Sequence, residues 1–169
     1  AEDVQSMKKL LRYVRSSCDE VLRLKVDQEC PANTVTVHVD ANWSHTEQQR
    51  STSGVVVSWQ GVMLMAMSKT QSTTSLSTCE AELQALTLGL QEGLYFKRVI
   101  EQLEGEPIRL EIRTDSAAAM GFVRRQGLGR LRHLTVKALW IQEQFQRGEF
   151  ALQYVASTQN LADGLTSPS

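Results

Sequence analysis

Three apolar runs of strand length, followed across a polar connection by a run of helix length, constrain this chain more than anything else in it. Val35, Val37 and Val39 alternate with Thr36, His38 and Asp40, the period of a half-buried strand. Gly54 to Trp59 and Val62 to Met67 flank Gln60-Gly61, which reads as a hairpin, and Val55-Val56-Val57 predicts burial on both faces. A polar connection, Ser68 to Thr74, leads to a helix from about Thr78 to Leu103 with Leu83, Leu86, Leu90 and Leu94 as its core stripe. Ile108, Leu110 and Ile112 mark a fourth strand, and Ser116 to Val123 a short helix. Leu134, Ala138, Ile141 and Phe145 mark a further helix stopped by Gly148. Phe150, Leu152 and Tyr154 form a fifth strand, and Asn160 to Leu165 makes one or two helical turns. A hairpin followed by β-α-β crossovers predicts a mixed sheet with helices packed on it.

Ahead of this unit, Val4, Met7, Leu11 and Val14 recur at helical spacing over residues 3–16. Leu22, Leu24 and Val26 alternate as a short half-exposed strand, and Cys30-Pro31-Ala32-Asn33 breaks the pattern like a linker. The compact domain is therefore expected to run from 34 to 169, with 1–33 as a connecting segment. A chain of 169 residues, 41% hydrophobic, suits one core of that size. No apolar run reaches membrane-spanning length and Ala1-Glu2-Asp3 has no signal-peptide character, so a soluble intracellular protein is expected, with Ala1 as a processing boundary. Cys18, Cys30 and Cys79 form no CxxC pair, and His38, His45 and His133 are scattered; zinc and a disulfide framework are both disfavoured.

Four carboxylates stand out by context. Asp40 ends the first strand and Asp115 follows the fourth, Glu82 opens the long helix, and Asp163 lies in the last turn. Ligands in open α/β sheets bind at the carboxyl ends of strands near a topological switch, and adjacent parallel strands would bring Asp40 and Asp115 together. The choice between Glu80 and Glu82 follows from local geometry. Ser77-Thr78-Cys79-Glu80 fits a capping box, which occupies Glu80. Two helical positions differ by about 200°, so Glu82, beside the leucine stripe, borders the sheet. Carboxylates converging from separate elements are how a protein holds divalent metals for phosphodiester chemistry. Net charge is −1, so bulk charge does not signal nucleic acid. Ser116 to Gln142, however, has no Asp or Glu and carries Arg124, Arg125, Arg130, Arg132, His133 and Lys137, either a strip for a phosphate backbone or an ordinary solvated face. Neither a Gly-x-Ser-x-Gly elbow nor a Walker phosphate loop occurs.

In order, the chain reads Asp40-Ala41-Asn42-Trp43, Arg50-Ser51-Thr52-Ser53-Gly54, Ser68-Lys69-Thr70-Gln71 and Leu76-Ser77-Thr78-Cys79-Glu80-Ala81-Glu82. It continues with Thr114-Asp115-Ser116, Arg132-His133, Tyr154-Val155 and Asn160-Leu161-Ala162-Asp163-Gly164-Leu165-Thr166. This series resembles the type 1 ribonuclease H domain of copia-type LTR retrotransposon polyproteins, from about Val4 to Thr166. Lys8 to Val14 is similar to the segment that joins reverse transcriptase to ribonuclease H in those polyproteins. The resemblance implies a ribonuclease H-like α/β fold, a five-stranded mixed sheet with helices on both faces. It also implies a catalytic, metal-holding tetrad of Asp40, Glu82, Asp115 and Asp163. The implied reaction is endonucleolytic hydrolysis of the RNA strand of an RNA–DNA hybrid with two Mg2+, or Mn2+ as a substitute. Asp40 would bridge both ions, with Asp163 on the attacking-water side and Glu82 and Asp115 on the leaving-group side.

Gln71 and Ser116 are the expected contacts to 2′-hydroxyls, and Lys69, Arg132 and His133 to phosphates. The implied partner is the reverse transcriptase of the same polyprotein, and the implied location a cytoplasmic virus-like particle. The first motif has Asn42 where the family commonly has a second Asp, here read as non-ligating. Val155 to Gln159 lacks the His that many cellular ribonucleases H carry before the last acid, and Arg124 to Arg132 is too short for their basic protrusion. Readings from other classes are a catalytically silent nucleic-acid-binding or tether module, and a DNA nuclease of the same superfold.

Overall fold

A computed structural model describes residues 2–20, 24–27, 30–31, 33–44, 50–125 and 136–166. The chain runs α1 (Glu2–Ser16), β1 (Thr34–Asn42), β2 (Thr52–Trp59), β3 (Val62–Thr70), α2 (Thr78–Glu104), β4 (Arg109–Thr114), α3 (Ala117–Arg124), α4 (Val136–Gln146) and β5 (Ala151–Tyr154). Two 3-10 turns, Ser157–Gln159 and Asp163–Leu165, close it. The strands form one sheet in the order β3-β2-β1-β4-β5. β1 pairs antiparallel with β2, and β2 with β3, whereas β1–β4 and β4–β5 are parallel. The β2–β3 turn uses Gln60 and Gly61, both at positive φ, as a two-residue hairpin of this hand requires.

Alternation decides what each face of the sheet meets. Val35, Val37 and Val39 of β1, with Val55 and Val57 of β2, are fully buried in one core with Leu83, Leu86 and Leu90 of α2. Burying each such side chain stabilises the fold by about 1.5–3 kcal/mol. The core continues through Ile112, Phe122 and Ile141, so α3 and α4 extend the same layer as α2. Helix and sheet approach closely because α2 has glycine where it crosses β1. A Cβ on Gly89 would come within 2.3 Å of Val39 Cγ1, and one on Gly93 within 2.9 Å of Val37 Cγ2.

The opposite face carries Thr34, Thr36, His38 and Asp40 from β1. Among the described residues its helical cover is the 3-10 turn Asp163–Leu165, seated on Gly54. A shallow cavity of about 350 Å3 lies on that side, lined in part by His38, Arg113, Val56 and Met63. It does not include the carboxylates.

The expected strand around Leu22, Leu24 and Val26 is not formed over the described residues 24–27. Leu22 lies outside the described residues. Leu24 and Val26 are 59% and 52% exposed, and the Asp27 N–H donates to Gln60 O at 2.9 Å. Alternating apolar side chains that find no surface to cover cannot offset the entropy of an extended segment. α1 is helical as its periodicity predicts, but its apolar stripe is also uncovered, with Val4, Met7, Leu10, Leu11 and Val14 each more than half exposed.

Candidate active site

β1 and β4 run side by side, with His38 paired to Arg113. Two residues further on, each strand delivers a carboxylate, Asp40 from within β1 and Asp115 just past β4. α2 starts close by. Ser77 caps it, its hydroxyl accepting the Glu80 N–H at 3.2 Å. The Glu80 carboxylate turns back to accept the Leu76 N–H at 2.8 Å, one residue earlier than a strict capping box would place it. Glu80 is thereby committed to the helix terminus. Glu82 faces the sheet, and ligand oxygens of Asp40, Glu82 and Asp115 all lie within 4.8 Å of one another.

Three carboxylates so close repel one another, and the cluster shows that cost. Burial raises the Glu82 carboxyl most, and the charges of Asp40 and Asp115 raise it further, to about 8. One Glu82 oxygen, Oε2, is buried with no hydrogen-bond partner among the described residues. Asp40 is also raised, chiefly by burial; a hydrogen bond from Thr166 opposes the shift, and Asp115 and Asp163 add to it. An orphaned carboxylate oxygen within an all-oxygen donor set fits a hard divalent cation, which would supply both the missing partner and the missing charge.

Asp163 reaches this cluster from the C-terminal turn. It is exposed and outside the tight group of three, yet near enough that its charge acts on Asp40. Hydrogen bonds from well-separated positions hold the turn in place. Asn160 Nδ2 donates to Val39 O at 3.0 Å, Ser68 Oγ to Leu165 O at 2.7 Å, and Asn42 Nδ2 to Thr166 O at 3.0 Å. The Thr166 hydroxyl donates to Asp40 Oδ2. Asn42 thus ties the turn to β1. Ser157, in the short loop before the last acid, donates its hydroxyl to Asp115 Oδ2 at 2.5 Å.

The residues expected to touch substrate are placed differently from one another. Lys69 is exposed near the end of β3. Gln71 is only 5% exposed and its amide is fully engaged, donating to Ser53 Oγ and Ala81 O at 2.9 Å and accepting from Ser75 Oγ at 2.8 Å. This network joins β2 to the start of α2. Ser116 caps α3, accepting the Ala119 N–H at 3.2 Å. Arg132 and His133 lie outside the described residues, as does Arg130 of the basic strip. Arg124 Nη2 donates to Leu152 O, and the Arg125 guanidinium stacks over the Phe122 ring. Sequence reasoning did not single out Ser157, Asn160, Thr166 or Gly54. The available signal was that Asn160 and Thr166 bracket Asp163.

A family described as reverse transcriptase-like matches residues 38–163. A retrovirus-related Pol polyprotein of a tobacco (Nicotiana tabacum) transposon, TNT 1-94, is 25% identical over 170 residues, covering 98% of this chain and 12% of the polyprotein. A Ty1 Gag-Pol polyprotein of Saccharomyces cerevisiae, Ty1-JR2, is 24% identical over 140 residues, covering 82% of this chain and 8% of the polyprotein. The chain therefore spans a small fraction of these relatives. Among solved structures, LC11-RNase H1 isolated from compost superposes with a TM-score of 0.58 at 20% identity, over 79% of this chain and 92% of its own. The same enzyme in complex with an RNA/DNA hybrid gives a TM-score of 0.53 at 16% identity, over 78% and 92% of the two chains. At such identities the superpositions establish the fold. The family match over residues 38–163 places this chain in the reverse transcriptase-like family, with the fold that the ribonuclease H structures share.

Proposed function

We propose that this domain is an endoribonuclease that hydrolyses the RNA strand of RNA–DNA hybrids with two divalent cations, Mg2+ or Mn2+, during reverse transcription of a retroelement. The observation that carries this reading is the convergence of Asp40, Glu82 and Asp115 within 4.8 Å, around a buried Glu82 oxygen that has no protein partner among the described residues. When bound, the cations would offset the charge of the phosphodiester and lower the pKa of the attacking water. The chain's own part is to present oxygen donors at fixed positions. Asp40, the most buried of the acids, would share the cations with the half-buried Glu82 and Asp115, and the exposed Asp163, whose charge acts on Asp40, would complete the set. Ser157 orients Asp115. No protein nucleophile is required, and the products would carry 5′-phosphate and 3′-hydroxyl ends. The hybrid bound by a protein of the same fold supports the choice of substrate, and Lys69, exposed near the end of β3, is proposed to meet a phosphate.

Residues 1–33 are proposed to be the connection to the polymerase and 34–169 the nuclease domain, working with the reverse transcriptase of one polyprotein inside a retroelement particle. The uncovered apolar stripe of α1 supports a partner for that segment. Among the described residues no helix is long and apolar enough to cross a membrane.

The test is cleavage of a labelled RNA–DNA hybrid in Mg2+ or Mn2+, with EDTA, Asp40→Asn, duplex DNA and duplex RNA as controls. Hybrid-specific, metal-dependent cutting that is lost in Asp40→Asn is the expected result. Binding without cutting under every metal condition would sink the proposal for the isolated domain.

A further inference from the structure

The acids that converge here come from distant parts of the chain, and Asp163 comes from the part least secured by regular structure. Its turn is three residues of 3-10 helix. Thr166 is where that turn meets Asp40, 126 residues away in sequence. The residue is 7% exposed, so water competes little for its hydrogen bonds. It is held at several points. Its N–H donates to Asp163 O at 3.2 Å and its carbonyl accepts from Asn42 Nδ2 at 3.0 Å. Its methyl lies against the bare face of Gly54, where a Cβ would come within 2.9 Å of Thr166 Cγ2 and 2.8 Å of Ala162 O.

The branching at Cβ matters here. With the methyl seated on Gly54, the hydroxyl is directed at Asp40 Oδ2, and Asp163 O lies 3.0 Å away as an alternative acceptor. A hydroxyl has a single proton, and a carboxylate is the stronger acceptor of the two.

We propose that Thr166 is a positioning residue: its hydroxyl fixes the rotamer of the Asp40 carboxylate and locks it to the turn that carries Asp163, so that the two acids act as one cation-binding unit. Thr166 itself touches neither cation nor substrate. The inference rests on the nuclease reading above and adds the device that sets the fourth acid. Groups that orient a metal ligand in this way typically alter metal affinity by about 10–100-fold when removed.

Two pairs of variants separate the hydroxyl from packing. Thr166→Val keeps the branched shape and removes the hydroxyl, and Thr166→Ser keeps the hydroxyl and removes the methyl. Thr166→Ser and Thr166→Ala then differ by the hydroxyl alone, so the inference stays testable if Thr166→Val fails to fold. Each is made in the full chain, checked by near-UV circular dichroism and titrated with Mn2+ by calorimetry, with hybrid cleavage measured in parallel.

The expected result is Mn2+ affinity about tenfold weaker or worse in Thr166→Val and Thr166→Ala, with cleavage falling in step, while Thr166→Ser stays near wild type. Folded variants that all bind Mn2+ and cleave like wild type would overturn the inference and leave the nuclease reading intact. So would an equal loss in Thr166→Ser and Thr166→Ala, which would assign the effect to the methyl on Gly54. A wild-type chain that neither binds Mn2+ nor cuts hybrid would instead remove the nuclease reading, and the inference with it.

Discussion

Replacing Glu82 by Gln tests the electrostatics of the cluster without any substrate. Burial first, and Asp40 and Asp115 second, raise the Glu82 carboxyl from 4.5 to about 8. A folded-state value above the unfolded one means that the folded protein holds the proton more tightly. The stabilising contribution is therefore fully present below pH 4.5 and is lost as pH rises through about 8. Each pH unit in that window is worth about 1.4 kcal/mol, which bounds the whole span at about 5 kcal/mol. Glu82 retains some exposure, and water near the carboxyl reduces this to about 2–3 kcal/mol. Gln cannot ionise. With EDTA present, the unfolding free energy of Glu82→Gln should therefore gain about 2–3 kcal/mol on wild type between roughly pH 4.5 and pH 8.5. Urea unfolding followed by circular dichroism at several pH values measures this. A difference that does not change with pH would refute the claim that burial and neighbouring charge penalise the ionised carboxylate. Saturating Mn2+ should favour wild type instead, because a ligand stabilises the state that binds it.

His38 is 5% exposed, its Nδ1 has no hydrogen-bond partner among the described residues, and burial together with Arg113 lowers it to about 4. Stability should fall as pH drops from 6.5 toward 4, by up to about 3 kcal/mol, and His38→Leu should flatten that slope in urea midpoints. Gln71→Ala should lower unfolding free energy by about 2–4 kcal/mol, because Ser53, Ser75 and Ala81 O lose a buried partner. A raised KM for hybrid with unchanged stability would instead assign Gln71 to substrate. Gly89→Ala places a methyl 2.3 Å from Val39 Cγ1. Thermal unfolding should show a loss of about 1–3 kcal/mol despite the better helix propensity of alanine, and an unchanged midpoint would mean that α2 is free to move off the sheet.

Local regularities carried much of this protein's architecture in plain view. Alternation at Val35, Val37 and Val39 and the leucine stripe of α2 depend only on strand and helix periodicity, so β1 and α2 were legible before any tertiary contact was known. The same helical geometry separated Glu82 from Glu80, since the helix terminus claims the latter, its carboxylate accepting the Leu76 N–H and its N–H capped by Ser77. The order of motifs carried the family. Other properties were settled only when distant segments met. The parallel pairing of β1 with β4 turns two strand ends into one carboxylate cluster. Burial there makes Glu82 a weak acid, and exposure follows from packing and not from sequence spacing. Gln71 read as a substrate contact in sequence, and only the fold shows it bonded to Ser53, Ser75 and Ala81. α1 has a core-like stripe that stays uncovered among the described residues, because amphipathicity specifies a face and leaves its partner open. The clasp of Thr166 on Asp40 and Gly54 joins residues more than a hundred positions apart, so it exists only in the folded chain.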